Sequence, residues 1–188
     1  MADIGADWSE ATARRIGEAM KARRTELGLS AQAVADKTSE LGYPLGRGTI
    51  ARMETGARGG KFDVSELFIL ACALQVSPIQ LLWHNAPDAP VELLPGYEEY
   101  AGFGYEWTVG DRVLNYPEPS DELDKQYLRL QALRRLMDAR RALVRLSQAR
   151  HPSRSGQPRE DTDVAALHNA RHVAEDEAAA HGWQVRRG

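Results

Sequence analysis

The chain has one cysteine in 188 residues, Cys72, so no disulfide can form within it and a reducing compartment suits it. It has no run of about 18 apolar residues, which leaves a membrane-spanning helix without a candidate. Met1 to Asp7 lacks the basic and apolar regions of a signal peptide. A cytoplasmic protein is the expectation. No glycine loop of phosphate-binding type is present. The adjacent carboxylates Glu98-Glu99 and Asp121-Glu122 have no nucleophile pattern beside them, so nothing points to an enzyme. His168 and His172 stand four apart, but they read His-Asn-Ala-Arg-His without cysteines or a catalytic glutamate, which fits a solvated helix face better than a metal. Neither a cofactor nor a small-molecule ligand is indicated.

What the chain does have is an uneven charge. The net value is −3, yet Arg14 to Lys61 carries 10 basic and 5 acidic residues, Phe62 to Asp124 carries 1 basic and 12 acidic, and Lys125 to Arg159 carries 10 basic and 1 acidic. Two basic zones flank an acidic one. Such segregation suits a nucleic-acid binder better than a uniformly acidic enzyme.

Hydrophobic spacing predicts five short helices in the first half. The first spans about Trp8 to Leu27, with Ile16, Ala19, Met20 and Leu27 at helical intervals, Ser9 as N-cap and Gly28 as stop. Ser30 caps a second, Ala31 to about Thr38, with Val34 and Ala35 inward. A turn over Ser39 to Gly46 leads to a third, Arg47 to Thr55, which Gly56 ends. After the polar loop Ala57 to Asp63 comes an apolar helix from Val64 to Leu74, and Ser77-Pro78 opens a fifth that ends near Trp83. Ile50, Met53, Leu70, Leu74 and Leu81 are core positions, and Cys72 reads as a small buried one.

Residues 85–119 are rich in Pro, Gly and aromatics and read as a linker whose rings pack on something, with a short strand or helix near Glu106 to Leu114 left undecided. A long helix is expected from Ser120 to about Arg150, capped by Ser120. Pro152 to Pro158 breaks it, and a last helix runs from about Asp161 to His181 with Gly182 as its stop. The expected division is a domain at 8–84, a linker at 85–119 and a helical region at 120–188.

The run Gly28-Leu29-Ser30, Val34-Ala35, Gly48-Thr49-Ile50-Ala51-Arg52-Met53-Glu54-Thr55-Gly56, Leu70-Ala71, Ala73-Leu74-Gln75-Val76-Ser77 and Leu81-Leu82 resembles the Xre/Cro/C1 family over about Ile16 to Leu82. The resemblance implies an all-α fold: a five-helix DNA-binding domain, then the aromatic linker and the helical C-terminal region. It also implies a sequence-specific repressor that binds a double-stranded operator, of the kind found as phage immunity repressors. The third helix would enter the major groove while the second braces it across the backbone. On that pattern Arg47, Gly48, Thr49 and Arg52 face the bases, with Arg47 the first candidate for guanine readout. Ser30, Gln32, Thr55, Arg58 and Lys61 are the phosphate candidates. Arg24 and Glu54 would form an internal ion pair.

Three features depart from the family. Ala31 stands where a phosphate-binding glutamine is frequent, which moves that contact to Gln32 or removes it. Glu40-Leu41-Gly42-Tyr43-Pro44 lengthens the turn or the second helix, and Arg58-Gly59-Gly60-Lys61 makes a glycine-rich loop.

The basic helix from 120 to 150 leaves three uses open. Its apolar face (Leu123, Tyr127, Leu130, Leu133, Leu136, Met137, Leu143, Val144) could pack on the last helix or form a homodimer. Its arginines, Arg134, Arg135, Arg141 and Arg145 among them, could instead make a second DNA surface. An antitoxin, or another protein-interaction module that grips a partner with the C-terminal helices, is the competing function.

Overall fold

The local signals at Gly28 and Ser30 set the first turn of the structure, a computed structural model that describes residues 4–149 and 161–186. Helix α1 (Ile4–Glu26) stops where Gly28 adopts φ +64°, a left-handed backbone that glycine takes without penalty. Ser30 caps α2 (Ala31–Glu40) by accepting a bond from the Ala33 amide at 3.1 Å. At the far end of α2, Gly42 again takes positive φ. Its amide donates to Ser39 O and the Tyr43 amide to Thr38 O, the paired bonds of a Schellman ending. The helix therefore runs two residues past Thr38, and the extra turn residues are absorbed in its ending. Thr38 then fixes the exit: its buried hydroxyl donates to Ala35 O and accepts from the Leu45 amide at 3.1 Å. From there α3 (Arg47–Glu54) begins, with Ile50 and Met53 turned into the core.

Helix α4 (Val64–Ala73) opens with a reciprocal cap between Asp63 and Glu66, and α5 (Pro78–Leu82) opens on Ser77-Pro78. Ile16, Met20, Val34, Ile50, Leu70, Leu74 and Leu81 form one buried cluster among the five helices. Two expectations are corrected here. Ser9 is not a cap but lies inside α1, donating to Ala6 O at 2.9 Å; the helix extends further back because the indole of Trp8 is anchored to Glu92 O at 3.1 Å. Cys72 is exposed, not buried. Helix α4 is apolar around most of its circumference, so composition could not tell its buried face (Leu67, Leu70, Ala71) from the outer stripe Val64, Phe68 and Cys72.

The stretch expected to be a linker departs most. Residues 90–109 fold into an antiparallel hairpin, β1 (Pro90–Leu94) and β2 (Tyr97–Tyr100), followed by α6 (Ala101–Val109). Side-chain packing explains it. Gly104 lies so close over the Trp83 ring that a Cβ there would stand 2.4 Å from it, and the Trp83 indole donates to Thr108 Oγ1 at 3.0 Å. These elements belong with α1–α5 in one compact unit, Met1–Val109.

A second unit, Gly110–Gly188, pairs α7 (Asp121–Ala149) with α8 (Asp161–Ala180). Ser120 Oγ accepts the Glu122 amide at 3.1 Å, and Gly182 ends α8 at φ +82°. Leu136 is buried with Ala132, Ala174 and Ala178, small residues that let two helices approach closely. The Pro152 to Pro158 break lies outside the described residues.

Two contacts hold α1 on α3. A Cβ on Gly17 would meet Met53 O at 2.1 Å, and Arg24 grips Glu54 with both ends of its guanidinium, Nε to Oε1 at 2.6 Å and Nη2 to Oε2 at 2.8 Å. Replacing a mid-helix glycine by alanine normally stabilises by about 0.5–1 kcal/mol. Here the backbone carbonyl cannot yield, so Gly17→Ala lowers stability by about 1–3 kcal/mol in urea unfolding. Glu54→Ala, which strands a mostly buried guanidinium, lowers it by about 3 kcal/mol. A neutral result for Glu54→Ala would show that the pair does not hold the helices together.

Candidate nucleic-acid interface

Helix α3 has two faces. Ile50 and Met53 are buried, while Arg47, Gly48, Ala51, Arg52 and Thr55 are exposed along the opposite side, with Thr49 half-buried at its edge. These intervals of one, three or four residues describe a single stripe on an α-helix. It is built from small residues with Arg47 at its start and Arg52 five residues along, a shape that admits close approach by a nucleic-acid groove. Gly46, at the N-cap, supplies no side-chain cap, so the first amides of α3 are not taken up by a capping side chain.

The remaining candidates are not alike. Ser30 is exposed at the start of α2, its hydroxyl oxygen accepting from Ala33 N. Gln32 is exposed, and its amide donates to Asp36 Oδ1 at 2.8 Å, one turn along α2. Thr55 donates to Ala51 O at 2.9 Å. Lys61 is exposed. Arg58 is otherwise engaged: its Nη1 donates to Glu66 Oε2 at 2.6 Å, and this carboxylate is itself buried and also accepts the Asp63 amide. The pairing raises the guanidinium's pKa above its ordinary value, the bond to Glu66 being the main cause. A buried carboxylate needs such a partner, so Arg58 has a structural task whatever else it does.

Helix α1 shows the same division of labour. Arg15 donates to Leu82 O at 3.2 Å and lies 5.0 Å from the centre of the Trp83 ring; burial lowers its pKa. Arg23 donates to Leu74 O at 3.1 Å, closing the end of α4. Arg24, besides Glu54, donates to Leu29 O at 2.9 Å. Much of the first basic zone is thus internal bracing. Arg14 is different. It is exposed, and its side chain lies against Gly56, just beyond α3. Sequence spacing alone did not mark it, because its neighbourhood to α3 arises from the crossing of two helices.

In the second unit most basic side chains are also engaged. Arg134 pairs with Asp111, Arg135 Nε donates to Glu177 at 2.9 Å, and Arg141 donates to Asp138 at 2.7 Å. The bond from Arg135 holds the Glu177 carboxyl below its ordinary pKa. The buried Glu175 carboxylate has Arg140 and Arg171 at 3.6 Å and His172 at 3.5 Å. Arg145 is exposed. Packing of α7 on α8 accounts for the burial of Leu136 and for the Arg135–Glu177 and Arg140–Glu175 pairs. Among the described residues, no group of three or more His, Cys, Asp or Glu side chains could hold a metal, and no helix is long and apolar enough to cross a membrane.

Residues 20–81, from the second half of α1 through α5, match a helix-turn-helix family model. No curated protein and no solved structure gives a match. The matched segment contains the whole exposed stripe of α3 and the turn that presents it. This segment is a helix-turn-helix of the Xre/Cro/C1 type, a domain of DNA-binding transcription regulators.

Proposed function

We propose that the protein is a sequence-specific repressor which lays α3 in the major groove of a double-stranded operator and blocks access of the transcription machinery. The observation that carries this reading is the exposed stripe Arg47, Gly48, Ala51, Arg52 and Thr55, set against a buried Ile50 and Met53. Arg47 and Arg52 stay on the surface while Arg15, Arg23, Arg24 and Arg58 are spent inside the fold. Arginine at such a position donates two hydrogen bonds to guanine O6 and N7. Gly48 and Thr49 contribute by letting the helix approach. Ser30, Gln32, Thr55 and Lys61 then hold the backbone, with Arg14 as a further phosphate contact beside Gly56.

A phage immunity repressor is one biological setting that suits this chemistry. A helix of this length reads only a few base pairs, so a second contact is required. It would come from a homodimer through α7 or from the exposed basic side chains of the second unit, with Arg145 the foremost of them and Arg134, Arg135 and Arg141 contributing as rim charge. The competing reading, an antitoxin-like module that holds a protein partner, draws support from Leu128, Met137 and Val173, which are exposed on α7 and α8.

The two classes of DNA contact separate in a gel-shift series on the operator and on single-base variants. Arg47→Ala weakens operator binding about tenfold or more and flattens discrimination at one base pair, in line with about 1–3 kcal/mol for a bidentate contact. Lys61→Ala weakens all sequences alike and lowers the slope of log K against log salt by about 1. Operator binding by the Arg47→Ala, Arg52→Ala double variant equal to that of the parent would contradict the assignment of α3.

A further inference from the structure

Helix α7 carries apolar side chains beyond those that meet α8. Ala132 and Leu136 are buried, and Leu136 packs with Ala174 and Ala178 of α8. A second file runs beside them. Leu123, Leu130, Met137 and Val144 stand seven apart, the interval that keeps one stripe of a helix turned toward a neighbouring helix. Met137 follows Leu136 by one residue, so the stripe is turned about 100° from the line that meets α8. Leu123 is 36% exposed, Met137 43% and Val144 53%. Leu130 is half-buried, its Cδ2 lying where a Cβ on Gly110 would stand 2.0 Å away. The file extends along about 32 Å of helix. The cluster beneath it is small for helices of 29 and 20 residues, and association is a usual remedy for a small core.

Charge decides what such a file fits. The first turn of α7 is acidic, with Asp121, Glu122 and Asp124 all exposed. Toward the other end Arg140, Arg141 and Arg145 make it basic, the last two exposed. A second α7 laid parallel would set Glu122 beside Glu122 and Arg145 beside Arg145. Laid antiparallel, with Leu123 against Val144 and Leu130 against Met137, it sets the acidic turn of each copy beside the arginines of the other. The centre of that pairing falls between Leu133 and Arg134. There the two copies of Arg134 approach, each already neutralised by Asp111. The helix is therefore self-complementary about a twofold axis, as an isologous dimer requires, and the flanking charges select the direction.

We propose that α7 pairs antiparallel with α7 of a second copy of this chain, Leu123 to Val144 and Leu130 to Met137, in a twofold dimer. The pairing stands on the second unit alone; its use as the second contact on an operator rests on the DNA-binding reading above.

Sedimentation equilibrium of the full-length protein without DNA tests the pairing. The mass is expected to rise with concentration to twice the 20.8 kDa of one chain. Met137→Glu places a charge in the apolar file, weakens the dimer about tenfold or more and leaves the helical content of the monomer unchanged. Direction is read by exchanging charges. Glu122→Arg and Arg145→Glu each weaken the dimer about threefold or more, and the two together restore parental affinity. Absence of that rescue would overturn the antiparallel direction. A single-chain mass at every concentration would overturn the dimer and leave the file to a protein of another kind. In a second arm, the parent protects two operator half-sites related by a twofold, and Met137→Glu loses about tenfold on the whole site while matching the parent on one half-site. Equal binding of the whole site by both would overturn the use of the dimer on DNA. Failure of the parent to bind any operator would defeat the repressor reading itself, while sedimentation judges the pairing separately.

Discussion

The guanidinium of Arg24 is the point on which the DNA-facing geometry turns. It meets both oxygens of Glu54 at the end of α3 and the carbonyl of Leu29 at the start of the next turn. One side chain thereby fixes the end of α1, the approach to α2 and the tail of the helix that presents the exposed stripe. A planar fork can do this and an ammonium cannot, because two parallel bonds specify direction as well as distance. Gly17 completes the arrangement by allowing the α3 backbone to lie directly on α1. Sterics set the separation of the two helices and the ion pair sets their rotation, so Arg47 and Arg52 are held outward by residues that have no part in contacting DNA.

Positive charge is apportioned by position rather than by number. Within the first unit Arg15, Arg23, Arg24 and Arg58 satisfy carbonyls or carboxylates that would otherwise be left poorly paired near helix ends. In the second unit Arg134, Arg135 and Arg140 answer the acidic groups of neighbouring segments. A charge census therefore overstates the surface available to phosphate, because four of the ten basic residues in the first basic zone serve the scaffold. Of the exposed cations in the first unit, Arg14, Arg47, Arg52 and Lys61 lie on α3 or next to it in space or in sequence, while Lys21 lies on α1. That is the pattern expected when affinity comes from a limited set of contacts placed with care.

Local chemistry was the legible part of the sequence. Gly28, Ser30, Gly56 and the Ser77-Pro78 step act over a few residues, and the helix boundaries they mark lie within two residues of those in the structure. Where long-range packing decides, the sequence was silent or misleading. Trp8 extends α1 by its bond to β1, so Ser9 lost the capping role that its neighbours suggested. Helix α6 has two glycines and weak periodicity, and it forms because Gly104 and Thr108 fit around Trp83. The Arg58–Glu66 pair joins a loop residue to the first turn of α4, and no helical or strand periodicity runs from one to the other.

Chemical interference mapping bears most directly on the central claim, because guanine N7 lies in the major groove and adenine N3 in the minor groove. With the operator methylated at random, the account predicts that N7-methylguanine at one or two positions abolishes binding by the parent protein. At the guanine read by Arg47, the same modification should leave the residual binding of Arg47→Ala unaffected. Interference confined to N3-methyladenine, or absent from every guanine in the protected region, would contradict the placement of α3 against the bases.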